Sequence, residues 1–190
     1  MEGPIVQRSN DMSLYKMLLK KYADTLLSHQ FESEFPSMDG GIFCECCKVI
    51  HGRCIDAVYG LSIAYKVFRD EKYLKGAKKL LGYSSNLICL DGGIYNDLQT
   101  TWRFTTVFFV IDLAETLLYA KDVLPTSFVL DLERHLKIHA NWLYSNLDEH
   151  SKTNINYPTN NALAMYLAGS YLHEERYLKR ARSLADYAMN

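Results

Sequence analysis

Asp70-Glu71-Lys72-Tyr73-Leu74-Lys75, followed by Ala77, Leu80 and Tyr83, returns as Glu174-Glu175-Arg176-Tyr177-Leu178-Lys179, followed by Ala181, Leu184 and Tyr187. Tyr73 and Tyr177 stand 104 residues apart (177 − 73). That offset is too long for one helical hairpin and suits two consecutive hairpins of roughly 50 residues each. The repetition predicts an all-α array of helix pairs.

Working outward, apolar residues recur at helical spacing in seven stretches. The first runs from about Met12 to His29 and the second from about Arg53 to Phe68. Asp70 is placed to cap a third helix, Glu71 to Ile88, which Asp91-Gly92-Gly93 follows. Thr105 or Thr106 caps a fourth, strongly apolar helix with Val107, Val110, Ile111, Ala114 and Leu117 at i, i+3, i+4 spacing. Pro125-Thr126-Ser127 opens a fifth that runs to about Leu147. Pro158, acceptable at a first helical position, leads a sixth to Leu172, and Glu174 begins the seventh. Strand signals are almost absent.

Short joints alternate with long loops, Phe31 to Gly52, Leu90 to Arg103 and Asp148 to Tyr157. Long loops that always precede the same member of a helix pair gather at one end of the array, where function is expected. Two of them share a turn, Asp39-Gly40-Gly41-Ile42-Phe43 and Asp91-Gly92-Gly93-Ile94-Tyr95. The turn is either a glycine-dependent fold-back under the next helix or a ligand contact.

Composition sets the bounds. A chain of 190 residues that is 48% hydrophobic has material for one core, so a single domain over 1–190 is expected. Lys+Arg 21 against Asp+Glu 22 gives a net charge of −1, which supplies no field for nucleic acid or anionic lipid. Met1 to Asn10 lacks the apolar segment of a signal peptide, so a cytoplasmic location is expected. The longest apolar run, Val107 to Leu118, is broken by Asp112 and Glu115 and falls short of the roughly 20 residues that span a bilayer. No membrane partner is expected.

The helix pairs, the Asp-Gly-Gly loops and Asn156-Tyr157-Pro158-Thr159-Asn160-Asn161-Ala162-Leu163-Ala164 at an inner-helix start resemble the (α/α) toroids of carbohydrate-active enzymes. The nearest likenesses are the heparinase II/III-like polysaccharide lyases and the unsaturated glucuronyl hydrolases. The resemblance implies an incomplete (α/α) toroid, since a closed one needs more helices than seven. With the chain ending inside or at the edge of a helix, it implies either the N-terminal part of a longer enzyme or a product truncated at its C-terminus whose open inner face is covered by a partner, for instance in a homo-oligomer. A carbohydrate ligand is expected, and no cofactor for catalysis.

The cluster Cys44-Glu45-Cys46-Cys47-Lys48-Val49-Ile50-His51-Gly52-Arg53-Cys54 is the second distinctive feature. Cys44, Cys47, His51 and Cys54 give C-x2-C-x3-H-x2-C, a ligand set for one structural Zn2+, with Cys46 able to replace a neighbour. The alternative is a group of small buried residues under a loop. Without metal, His51, Arg53 and Asp56 lie at an inner-helix start, where the helix dipole also accounts for Asp56.

The other loops add Asn96, Asp97, Trp102 and Arg103, then Asn154, Asn156, Tyr157, Asn160 and Asn161. Aromatic rings stack on sugar faces and amides read hydroxyls, which is what a sugar site requires. A lyase acting on uronic-acid polymers would use Asn160 or Asn161 with Arg53 or Arg103 to neutralise the carboxylate. Tyr157 and His51 would exchange the proton. A hydrolase would use Asp56 and Asp97. The contrasting reading is a non-catalytic helical-repeat binding module stapled by the Cys/His site.

Overall fold

The computed structural model describes residues 5–97, 101–150 and 156–189. Seven α-helices occupy them: α1 (Ile5–Ser28), α2 (Ala57–Phe68), α3 (Glu71–Ser84), α4 (Thr106–Ala120), α5 (Thr126–His150), α6 (Asn156–Leu172) and α7 (Glu175–Met189). The pairs α2/α3, α4/α5 and α6/α7 pack as hairpins, and α4 touches both α2 and α6. Helices α2, α4 and α6 therefore form one layer, and α3, α5 and α7 the other. The fold is all-α, as the periodicity predicts.

Each hairpin joint is made locally. Arg69 (φ 55) and His173 (φ 57) adopt left-handed backbone just past α2 and α6. Arg69 N–H bonds to Tyr65 O at 2.9 Å, and Glu174 N–H bonds to Gly169 O at 3.0 Å, so the turn satisfies one of the free carbonyls at each helix end. The Asp70 carboxylate then accepts from Lys72 N–H at 3.1 Å and starts α3.

The repeated tyrosine is what the repeat buries. Tyr73 and Tyr177 are each 1% exposed. Tyr73 donates its hydroxyl proton to Asp24 on α1 at 2.8 Å, and Tyr177 donates to Asn141 on α5 at 2.6 Å. The cation beside each joins in: Lys72 reaches Asp24 at 2.8 Å and Arg176 reaches Asn141 at 2.7 Å. The repeat breaks at its last position, where Tyr83 is buried and Tyr187 is 56% exposed.

The loops repeat as well. Gln30 pairs with Ile42 and Ile88 with Ile94, each through an isolated antiparallel bridge that closes an Asp-Gly-Gly turn. Gly40 (φ 86) and Gly92 (φ 96) hold left-handed backbone that side chains disfavour. A Cβ on Gly40 would lie 2.3 Å from Lys79 O on α3, and one on Gly92 would lie 3.0 Å from the Ile138 side chain on α5. The two turns thus press on the outer helix of their own hairpin, which is the fold-back role. His139, fully buried on α5, locks the second turn. Its Nδ1–H donates to Gly92 O at 2.7 Å, which leaves its Nε2 to accept from His135 Nδ1–H at 3.3 Å. Burial pushes His139 down to about 4, so the pair is neutral at physiological pH.

Several boundaries differ from the sequence reading. A short hairpin, β1 (Phe43–Cys44) with β2 (Val49–Ile50), forms where no strand is expected, because two residues on each side are too few to show alternation. Residues Gly52–Asp56 form a 3-10 turn ahead of α2. Helix α3 stops at Ser84 rather than Ile88, since Leu87 and Ile88 turn back to meet Tyr95 and Ile94. No helix of the described residues is long and apolar enough to cross a membrane.

Two glycines separate backbone demand from mere absence of a side chain. Gly82→Ala on α3, where a Cβ meets nothing within 4 Å, is expected to stabilise the chain by about 0.5–1 kcal/mol in urea unfolding. Gly40→Ala is expected to cost more than about 2 kcal/mol in the same measurement, through its left-handed backbone and the Lys79 carbonyl.

Candidate functional site

The first two long loops meet at one end, beside the start of α6, while much of the third expected loop, 148–157, lies outside the described residues. Gly52 N–H bonds to Asn96 O, and a Cβ on Gly52 would lie 2.2 Å from Tyr95 O, so the first and second loops touch backbone to backbone. Trp102 from the second loop approaches Tyr157 at the start of α6, their ring centroids 6.2 Å apart and edge-on. Phe104 lies 5.4 Å from Trp102 and 6.2 Å from Tyr157, closing an aromatic triangle. Trp102 keeps 42% of its surface exposed, so the triangle presents a ring to solvent.

Around this rim the expected residues separate into two groups. Arg53 lies with its guanidinium 3.9 Å above the Phe108 ring, bonded through Nε to Asp56 at 2.9 Å. Its side chain remains 52% exposed and offers a cation to a ligand. Asn160 is half-buried near the start of α6. Arg103 is committed elsewhere: it pairs with Asp91 at 2.6 Å and packs over Trp142, bracing the Asp-Gly-Gly turn. Asn161 is fully buried and lies beneath the rim rather than on it. Asn154 lies outside the described residues, and Asn156 is exposed at the first position of α6.

Cys44, Cys47 and His51 come together, with one ligating atom of each within 4.8 Å of the others. Cys54 does not join them. It sits in the 3-10 turn packed against the core, where burial pushes its thiol up to about 12. Beside His51 a cavity of about 410 Å3 opens under the β-hairpin, lined by Phe31, Met38, Phe43, Tyr83 and Asp97. A larger groove of about 820 Å3 lies at the opposite end, and the Lys121–Glu133–Tyr171 network that borders it, with contacts of 2.6–2.8 Å, braces the ends of α4 and α6.

Asp56 behaves differently from a carboxylate held by a helix dipole. It makes no capping bond to α2, and burial pushes it up to about 6 against the pull of Arg53. Desolvation outweighs the dipole here because Asp56 faces into the layer of α2 and α4. Across that layer Asp112 on α4 is pushed up to about 8, first by burial and then by the charges of Asp56 and Glu115. Tyr22 on α1 and Tyr59 on α2 also feel Asp112, and burial raises both. A half-buried polar seam therefore joins Tyr22, Arg53, Asp56, Tyr59, Asp112 and Glu115. In sequence, Asp112 and Glu115 read only as interruptions of an apolar run. A carboxylate at two successive turn positions of an otherwise apolar inner helix is the signal that could have marked the seam.

The model of the ulvan lyase N-terminal domain matches residues 19–190. The chain belongs to the ulvan lyase N-terminal domain family. A relative of this family, the broad-specificity ulvan lyase of Formosa agariphila, is 27% identical over 177 residues, covering 92% of this chain. The chain spans 28% of that lyase's length. A relationship to polysaccharide lyases, the broader part of the likeness read from the repeats and loops, is thereby supported.

The seam has a definite pH signature. A carboxyl whose folded value is raised from its ordinary value to about 8 stays protonated in the fold while the unfolded chain ionises, so stability falls as pH rises from about 4 to about 8. Asp112→Asn removes that loss. Its thermal midpoint is expected to exceed that of the parent by about 5 °C at pH 8 and to match it near pH 4, as read by circular dichroism.

Proposed function

We propose that this chain is the helical part of a polysaccharide lyase that acts on an acidic, uronic-acid polymer, with the long-loop rim as the substrate surface. The observation that carries the reading is the meeting of two long loops and the start of α6 at Gly52–Asn96 and Trp102–Tyr157, on a chain of the ulvan lyase N-terminal domain family. The relative named for broad-specificity cleavage of ulvan supports ulvan as the polymer. An incomplete (α/α) toroid, with α2, α4 and α6 as its inner wall, is the architecture that fits this role.

In β-elimination the bond from C5 to hydrogen and the bond from C4 to the leaving oxygen break, and a C4–C5 double bond forms. A cation or amide must neutralise the uronate carboxylate so that the C5 proton becomes acidic, and a nearby group must move that proton to the leaving oxygen. Arg53, half-exposed and held over Phe108, serves as the neutralising cation. Asn160 adds an amide. Tyr157, half-buried against Phe104, is the proton-transfer group. Phe104 just ahead of α4 and Phe108 in its first turn are four residues apart, so Arg53 and Tyr157 flank the same stretch of backbone. Trp102 supplies the flat surface for a pyranose face.

Ulvan added to the chain is expected to alter tryptophan fluorescence. Trp102→Ala should remove most of that response and weaken binding about 10-fold, equivalent to ~1.4 kcal/mol, while Trp142, 4% exposed, contributes little. Where ulvan is cleaved, ultraviolet absorbance from unsaturated uronate ends should grow, and Tyr157→Phe should slow it about 100-fold. Loss of pre-formed unsaturated ends would show hydrolysis in place of elimination. Binding that Arg53→Ala, Trp102→Ala and Tyr157→Phe all leave unchanged would remove the rim from the account.

A further inference from the structure

We propose that Cys44, Cys47 and His51 form a three-ligand zinc site that clamps the β-hairpin onto the turn leading into α2, with water as the fourth ligand. The reading stands on local geometry and is independent of which polymer the rim binds.

The hairpin has the form of a metal-binding knuckle. Cys47 N–H points at Cys44 Sγ, 3.4 Å away, and Lys48 N–H bonds to Cys44 O at 2.7 Å. Lys48, the residue just after the second cysteine, takes left-handed backbone (φ 58). This tight turn brings two sulfurs to one side, and an N–H aimed at sulfur favours the thiolate that a metal needs. The adjoining strand Val49–Ile50 then returns the chain so that His51 presents a ring nitrogen to the same point. The three atoms lie within 4.8 Å of one another. A tetrahedral zinc with Zn–S of about 2.3 Å and Zn–N of about 2.0 Å requires separations of about 3.5–3.8 Å, so rotation of side chains is sufficient to close the site.

The ligand set is narrower than the spacing C-x2-C-x3-H-x2-C suggests. Cys54 is sealed against the core with its thiol beside Ile42, and Cys46, although exposed, is not within the group. The clamp acts on the rim. His51 directly precedes Gly52, whose N–H joins the first loop to Asn96 of the second, and Arg53 follows at once. A metal on His51 fixes where that junction begins. It also occupies the imidazole, which assigns proton transfer on the rim to Tyr157 alone.

The test is titration of the reduced, metal-free 190-residue chain with Zn2+ and with Co2+. One equivalent of either metal should bind, and Co2+ should give thiolate charge-transfer absorption with tetrahedral d–d bands. Cys44→Ser, Cys47→Ser and His51→Ala should each weaken Zn2+ binding at least ~100-fold, a loss at or beyond what changing a residue that only hydrogen-bonds to a ligand produces. Cys54→Ala and Cys46→Ser should keep the full stoichiometry and affinity. Zinc should also raise the thermal midpoint and slow proteolysis within residues 31–51. Helical circular dichroism checks that each variant folds, and the unmodified chain is decisive by itself. Absence of stoichiometric binding to it, a Cys44–Cys47 disulfide that resists reduction, or loss of affinity in Cys54→Ala or Cys46→Ser equal to that in Cys47→Ser would overturn the assignment. Ulvan binding is scored separately, so a failed metal site and a failed substrate surface give different results.

Discussion

A helix hairpin buries one face of each of its helices within the pair and must find a neighbour for the rest. In this chain the neighbour is secured by a tyrosine. Tyr73 and Tyr177 sit wholly inside the packing, yet each hydroxyl reaches an acceptor on the outer helix of the preceding unit, Asp24 or Asn141. A buried hydroxyl without a partner costs about 1–3 kcal/mol, so each tyrosine tolerates only one placement of its hairpin against the previous one. The adjacent cation, Lys72 or Arg176, reaches the same acceptor and narrows the choice further.

That register decides where the loops fall. Once α3 is set on α1, the turn at Gly40 presses on Lys79, and the corresponding turn at Gly92 presses on Ile138 and is gripped by the buried His139. Both loops are thereby folded back over outer helices and delivered to the same end, where Gly52 meets Asn96 and Trp102 meets Tyr157. The outer helices secure the array, and the inner helices with the loops before them are released to carry polar chemistry. The seam of Arg53, Asp56 and Asp112 shows the cost of that freedom, since burial holds both carboxyls well above their usual range.

Residues of equal promise in sequence parted company in three dimensions. Arg53 and Arg103 both stand next to an inner-helix start, but Arg103 is drawn to Asp91 and Trp142 while Arg53 stays half-exposed. Cys47 and Cys54 sit at comparable spacing from His51, but the hairpin turn carries one towards the imidazole and the 3-10 turn carries the other into the core. Asn160 and Asn161 are neighbours on α6, and helical rotation of one position buries Asn161 completely. Spacing along the chain names residue types that suit a chemistry. It does not say which way a turn faces.

The sequence alone determined the all-α class, the seven helices and the alternation of short joints with long loops. These follow from local periodicity, from capping residues and from a repeat whose buried tyrosine recurs 104 residues on. Only the tertiary structure decided that Asp112 on α4 faces Asp56 across the layer, and that Cys54 is withdrawn from Cys44, Cys47 and His51. Both outcomes depend on the angle at which separate elements pack and on how much water that packing excludes. Neither quantity is written in the spacing of residues along one helix or one loop.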